Sequence, residues 1–146
     1  MKNKIYKNLK LPELNLLAAE IAQQLESGSI VTLFGELGAG KTTFAATLIN
    51  ALTEEKTEVL SPTFNIMQPY EVKLHNGKIE TLWHLDLYRL KNIREADELG
   101  LDEVFSHIAI IEWAEIIEDI LPKNRIAIKL EFNDSDDERN VYVKFC

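Results

Sequence analysis

Ser29-Ile30-Val31-Thr32-Leu33-Phe34-Gly35-Glu36-Leu37-Gly38-Ala39-Gly40-Lys41-Thr42-Thr43 is the stretch that decides how the chain is read. An apolar, β-branched run from Ser29 to Phe34 predicts a strand, and the residues after Gly40 predict a helix reaching about Leu52. Between them Gly35 to Thr42 fits the pattern G-x-x-x-x-G-K-[ST] in full, a match that chance supplies roughly once in two hundred chains of this length. The glycines let backbone N–H groups approach phosphate oxygens with no Cβ in the way. The free N–H groups at the start of the following helix favour the same anion. Lys41 supplies a mobile positive charge to β- and γ-phosphates, and the Thr42 hydroxyl can ligate Mg²⁺. A bare strand-to-helix turn would need neither Lys nor Thr at these two places.

Working outward, residues 12–26 predict an amphipathic helix. Leu14, Leu17, Ala18, Ile21, Ala22 and Leu25 share one stripe, with Pro12 in the first turn and Gly28 as the stop. Thr57 to Leu60 predicts a short strand ended by Ser61-Pro62. Two extended segments, 64–74 and 78–88, meet at Asn76-Gly77, a dipeptide suited to the positive φ of a tight hairpin turn. In the second, Trp83, Leu85 and Leu87 point one way while His84, Asp86 and Tyr88 point the other. Asn92 with Glu95 suggests the cap of a short helix ending near Gly100. Ile108 to Ile111 reads as a buried strand that delivers Glu112-Trp113 at its end. A helix is expected from Ala114 to Leu121, stopped by Pro122. Ile126 to Phe132 and Val141 to Phe145 look like a hairpin across a polar turn. Strands alternating with helices imply an α/β fold of P-loop NTPase type: one domain over residues 1–146, with a mainly parallel sheet, flanking helices and antiparallel additions.

The chain has 146 residues, 46% hydrophobic and 27% charged, with a net charge of −8. That is an ordinary globular composition of one domain. The acidic balance argues against gripping nucleic acid directly, because phosphate binding leans on a basic surface. Cys146 is the single cysteine, so no internal disulfide or zinc cluster is expected. No apolar run is long enough to span a membrane and no signal peptide precedes the first helix, so cytoplasm is the expected compartment.

A phosphate loop also needs a carboxylate near the metal and a group that positions the attacking water. Asp86, on the polar face of its strand beside His84, and Glu112, at the end of an apolar run, are the two candidates. Either can serve metal or water. His84 shares a face with Asp86, which allows an orienting hydrogen bond. His75 and His107 have no acidic or thiol partner at ligand spacing, so surface or satisfied polar roles are expected. Trp83 and Phe105 read as core residues. Residues 134–138 lack the spacing of a calcium loop. The Asn-Lys-x-Asp guanine motif is absent, which disfavours GTP. Arg89, Arg94, Arg125 and Arg139 are scattered, which disfavours a kinase lid.

Gly35 to Thr43, Ser61-Pro62-Thr63-Phe64, His84-Leu85-Asp86-Leu87-Tyr88-Arg89 and Ile111-Glu112-Trp113 occur in that order. Together they resemble the TsaE (formerly YjeE) family, the small P-loop ATPases of bacterial tRNA threonylcarbamoyladenosine synthesis, over about Leu14 to Pro122. The resemblance implies a Mg²⁺-dependent ATPase, weak alone and activated by two partners, the transferase TsaD and its relative TsaB. It would reset their complex between turnovers, meeting tRNA only through them, with no DNA or membrane partner. Carried over by position, Gly35, Glu36, Leu37, Gly38, Ala39, Gly40, Lys41, Thr42 and Thr43 would hold phosphate. Thr63 would lie in a switch-like loop, Trp113 near the nucleotide, and Thr42, Asp86 and Glu112 at the metal. Lys41, Asp86 and Glu112 would carry catalysis. Glu36 stands where the family often has Asp, and Arg139, beyond the acidic run Asp134 to Glu138, is assigned no nucleotide contact. An alternative from another class is a nucleotide-gated binding module in which ATP occupancy, not hydrolysis, drives assembly.

Overall fold

A computed structural model describes residues 3–36, 38–59 and 66–146. In chain order the elements are β1 (Lys4–Lys10), α1 (Leu11–Ala22), β2 (Ile30–Phe34), α2 (Lys41–Asn50), β3 (Met67–Lys73), β4 (Ile79–Asp86), α3 (Ile93–Ala96), α4 (Leu101–Ser106), β5 (Ile108–Glu112), β6 (Ile126–Phe132) and β7 (Glu138–Phe145). They form one seven-stranded sheet in the order β1-β7-β6-β2-β5-β4-β3. The centre, β6-β2-β5-β4, is parallel, and both margins are antiparallel. This is the α/β, P-loop-type architecture expected.

β2 and β5 are the most buried strands because both sheet faces are covered, which is why they read as unbroken apolar runs. One face sets Val31, Leu33, Leu82, Ile108 and Ile110 against α1 and α2. The other sets Ile30, Leu85, Ala109 and Ile111 against the segment from Ala96 to Leu121. Truncating a buried Leu or Ile in either cluster to Ala is expected to cost about 2–5 kcal/mol.

The Asn76-Gly77 turn is present, with Gly77 at φ 85° and the Asn76 side chain accepting from the Lys78 N–H at 2.9 Å. Asn92 caps α3 by accepting from the Glu95 N–H at 3.3 Å. Other boundaries differ from expectation. α1 ends at Ala22, four residues early, although Leu25 remains buried. α2 ends at Asn50. Residues 57–59 form no strand; the Thr57 N–H instead donates to Asn50 Oδ1 at 2.6 Å, tying the segment to the end of α2. Leu60 and Ser61-Pro62-Thr63-Phe64 lie outside the described residues, as does Leu37. Residues Ala114–Ile120 are 3₁₀ rather than α, kinked at Ile117. The hairpin strand β7 begins at Glu138, three residues before Val141.

Two elements have no counterpart in the sequence reading. β1 is a margin strand whose only partly buried residues are Tyr6 and Leu9, so no strict alternation marks it. Asn8, at φ 59°, breaks its register with β7. α4 is a short helix burying Leu101 and Val104 after the left-handed Gly100. No helix among the described residues is long and apolar enough to cross a membrane.

At the opposite end of β4 from Asp86, Glu80 is nearly buried. It accepts from the Ser27 hydroxyl, lies 2.6 Å from His107 Nδ1 and takes the Thr81 N–H at 3.0 Å. His107 therefore has the satisfied polar role expected of it. Burial alone would raise the Glu80 pKa, but the Ser27, His107 and Thr81 donors outweigh it and hold the carboxyl below its ordinary 4.5. A depressed carboxylate adds stability that is full above the unfolded value and lost as pH falls through the folded one. Glu80→Gln should therefore lower the melting temperature at pH 7 by a few degrees, the shift that about 1 kcal/mol produces in a domain of this size. Thermal scans from pH 7 to pH 3 should show the gap to the parent protein closing at the acid end.

Candidate functional site

The site sits at the carboxyl ends of β2, β5 and β4. Strand β2 ends by turning sharply at Gly35, whose φ is 150°. A Cβ there would stand 2.5 Å from the Leu130 carbonyl oxygen of β6, so only glycine lets the loop pass this close to the neighbouring strand. Gly38 and Gly40 take φ of 82° and 102°, conformations that L side chains seldom adopt. Gly40 then caps α2, whose first residues are Lys41 and Thr42. The loop is thus a strand-to-helix turn with an unoccluded backbone and a helix N-terminus behind it, the arrangement that binds phosphate.

Parallel pairing brings the second half of the site to it. Leu33 of β2 lies opposite Glu112 of β5, and Glu112 opposite Asp86 of β4. Strand periodicity then sends His84, Asp86, Ile110 and Glu112 to the face that carries α2. The Thr42 hydroxyl reaches the Glu112 carboxylate at 3.1 Å to Oε1 and 3.3 Å to Oε2. His84 Nε2 lies 2.6 Å from Glu112 Oε2. His84 thus contacts Glu112, whereas its shared face with Asp86 suggested the nearer acid. Asp86 Oδ1 accepts from the Tyr88 N–H at 3.0 Å.

Lys41 is nearly buried. Its Nζ donates to the Gly35 carbonyl at 2.7 Å and stands 3.6 Å above the centroid of the Trp113 ring. Burial lowers its pKa, opposed by the negative charges of Glu112, Glu115 and Asp86. Trp113 is a non-glycine residue at φ 57°, ψ 46°, a sparsely populated conformation of the kind found at ligand sites. Its ring contacts Tyr88 at 4.9 Å between centroids. The strained backbone aims the indole at Lys41.

Residues 10–141 match the family model described as Threonylcarbamoyl adenosine biosynthesis protein TsaE. The chain belongs to the TsaE family. It is 42% identical over 120 residues to the tRNA threonylcarbamoyladenosine biosynthesis protein TsaE of Rickettsia bellii, covering 82% of this chain and 80% of the relative. Its likeness to the Bacillus subtilis TsaE is 36% over 143 residues, or 97% and 85% of the two chains. The crystal structure of Bacillus subtilis YdiB superposes with a TM-score of 0.78 at 31% identity, covering 99% of this chain and 86% of that one.

Most of the residues read from sequence in this TsaE chain converge. Gly35, Gly38, Ala39, Gly40, Lys41 and Thr42 form the loop and helix start, with Asp86, Glu112 and Trp113 beside them. Glu36 is exposed and contributes its carbonyl to a turn with the Ala39 N–H at 3.0 Å. Thr43 is exposed on α2 and lines a neighbouring cleft rather than the carboxylates. Leu37 and Thr63 lie outside the described residues. Arg139 has a role that sequence reading missed. Its Nε donates to the Ala39 carbonyl at 3.1 Å while its guanidinium lies over Phe132 at 4.4 Å, pinning the loop to the β6–β7 hairpin. No local pattern could reveal it, because the partner lies 100 residues away in sequence.

The close approach at Gly35 makes a sharp prediction. Gly35→Ala should destabilise the fold by about 1–3 kcal/mol from backbone strain, visible as a lowered denaturation midpoint, and weaken binding of an ATP analogue. Gly40→Ala, with open space around its Cβ, should cost less on both readouts.

Proposed function

We propose that the chain is the ATP-binding and ATP-hydrolysing subunit of tRNA threonylcarbamoyladenosine synthesis, acting with TsaB and TsaD and resetting their complex between turnovers. The observation that carries the reading is the convergence of Thr42, Glu112 and Lys41. A phosphate loop has its hydroxyl 3.1 Å from a buried acid on the adjacent strand, with a lysine poised at the loop's mouth. A structural turn would have no use for three such groups. The Glu112 and Asp86 carboxylates lie level on adjacent strands, with the Thr42 hydroxyl beside Glu112, an oxygen donor set that suits a divalent cation. Thr42, Glu112 and Asp86 are the residues that would hold Mg²⁺. An ion held there would supply neutralisation of the phosphate charge.

The chain's own groups do the rest. The loop N–H groups and the α2 N-terminus hold the phosphates, and Lys41 Nζ exchanges Gly35 O for phosphate oxygen. The Glu112 carboxylate orients water and draws on its proton. An open cleft of about 420 Å³ adjoins Gly38 to Gly40 and Thr43. Its walls include Leu11, Leu14, Phe44 and Leu130, with Asn15, Thr43, Asp136, Asp137 and Arg139 as polar groups, apolar surface for a planar base with acceptors that could meet the sugar hydroxyls. The acidic chain fits a subunit that leaves tRNA to its partners, and a cytoplasmic location fits that substrate.

Phosphate release from Mg-ATP, measured with and without TsaB and TsaD, tests the proposal. Weak release alone, stimulated by the partners and abolished in Lys41→Ala, is the expected outcome. Glu112→Gln should bind an ATP analogue yet lose release by about 10²-fold or more, the loss typical of removing a positioned proton acceptor. If Glu112→Gln lost hydrolysis but still supported tRNA modification in the complex, ATP occupancy alone would drive the system, and the protein would be a nucleotide-gated binding module.

A further inference from the structure

His84 has no role in the proposed chemistry so far, yet it is fully buried within the apolar face of the sheet between Leu82 and Ile110. A leucine would pack there without leaving a polar atom bare. Nε2 lies 2.6 Å from Glu112 Oε2, and Nδ1 has no hydrogen-bond partner among the described residues. A neutral imidazole carries one N–H, and an ionised carboxylate only accepts. The short contact therefore places the proton on Nε2 and leaves Nδ1 as a bare lone pair.

We propose that His84 is the positioning residue of Glu112, fixing through its Nε2–H which way the buried carboxylate faces. The inference rests on the ATPase reading of the same site. Glu112 needs such a donor. Asp86 occupies the register position beside it on β4, and like charges on adjacent strands push apart. Among the described residues Thr42 is the other donor to Glu112, but its hydroxyl is also the group assigned to the cation. The Thr42 hydroxyl lies 3.1 Å from Oε1 and 3.3 Å from Oε2, whereas the buried His84 ring contacts Oε2 at 2.6 Å and has no part assigned in holding the cation. It holds Oε2 and leaves Oε1 as the oxygen nearer Thr42. Outer groups that orient ligating or reacting carboxylates in this way change affinity or rate without touching substrate.

Two variants separate positioning from packing. His84→Leu fills the space without a donor, whereas His84→Gln returns an N–H near the position of Nε2. With TsaB and TsaD present, His84→Leu should lower kcat about 10- to 100-fold with KM changed less than about threefold, and His84→Gln should recover most of the rate. Binding of AMP-PNP in EDTA should be unchanged in His84→Leu, while the strengthening of that binding by Mg²⁺ should be lost. Wild-type kcat in His84→Leu, or no recovery in His84→Gln, overturns the proposal. If His84→Leu fails to fold, ¹⁵N resonances of the parent protein decide: protonated Nε2 with bare Nδ1 supports the assignment, and protonated Nδ1 overturns it. If the parent protein releases no phosphate, the ATPase reading fails by itself. The effect of His84→Leu on Mg²⁺-dependent AMP-PNP binding then still supports or overturns the role of His84.

Discussion

The hydrogen bond from the Thr42 hydroxyl to the Glu112 carboxylate joins segments 70 residues apart, and it depends on the order of the sheet. It requires β2 and β5 to be parallel neighbours, with Leu33 facing Glu112 in register. Parallel neighbours cannot be joined by a tight turn, so the chain between them must cross over. The crossover places β3 and β4 on one side of β5, and β4 brings Asp86 level with Glu112. A slip of one residue in β5 would turn Glu112, and one in β4 would turn Asp86, away from α2 and into the apolar cluster on the opposite face. The burial of β2 and β5 on both faces is therefore more than core formation, because it fixes the register on which the acids depend.

Where the chain could be read locally, the outcome was close to expectation. The glycine loop, its flanking strand and helix, the Asn76-Gly77 turn and the Asn92 cap each depend on a few adjacent residues with one favoured conformation. β1 was hidden because a margin strand buries one side shallowly and its apolar residues, Ile5, Tyr6 and Leu9, do not alternate. The segment at residues 57–59 looked like a strand by composition but has its backbone taken by Asn50. The 3₁₀ form of Ala114–Ile120 follows from what precedes it, since Trp113 enters in a left-handed conformation and Pro122 stands close behind. Pattern alone distinguishes poorly between helix types in so short a run.

The site divides along the same line. Lys41, Thr42, Asp86 and Glu112 were identifiable because each ends or begins an element with a clear pattern, and because phosphate chemistry requires their types. The resemblance to the family added Trp113, which the residues alone would have assigned to the core. The partners of His84 and Arg139 were not legible. Those contacts run between elements distant in sequence, and whether His84 turns toward Asp86 or Glu112 depends on register across two strands. Side-chain pairing of that kind is fixed only by the assembled sheet.

Lys41 shows how the same residues balance one another. Its hydrogen bond to Gly35 O is a charge-assisted one, worth about 1.5–3 kcal/mol, and its seat on the Trp113 ring is worth about 2 kcal/mol where water is excluded. An anion that recruits Nζ must displace the first of these. The neutral carbonyl is the weaker rival, since a phosphate oxygen carries full charge in a site where Lys41 is already partly desolvated. The carboxylates act in the opposite sense. They oppose the lowering of the Lys41 pKa by burial, yet their own charges would repel an incoming phosphate unless a cation stood between. Glu112, Glu115 and Asp86 all act on Lys41, so a polyphosphate would meet like charge beside the loop. On the proposed ATPase reading, a divalent cation between these carboxylates and the phosphates would relieve that repulsion, which is a physical reason for metal and nucleotide to bind together.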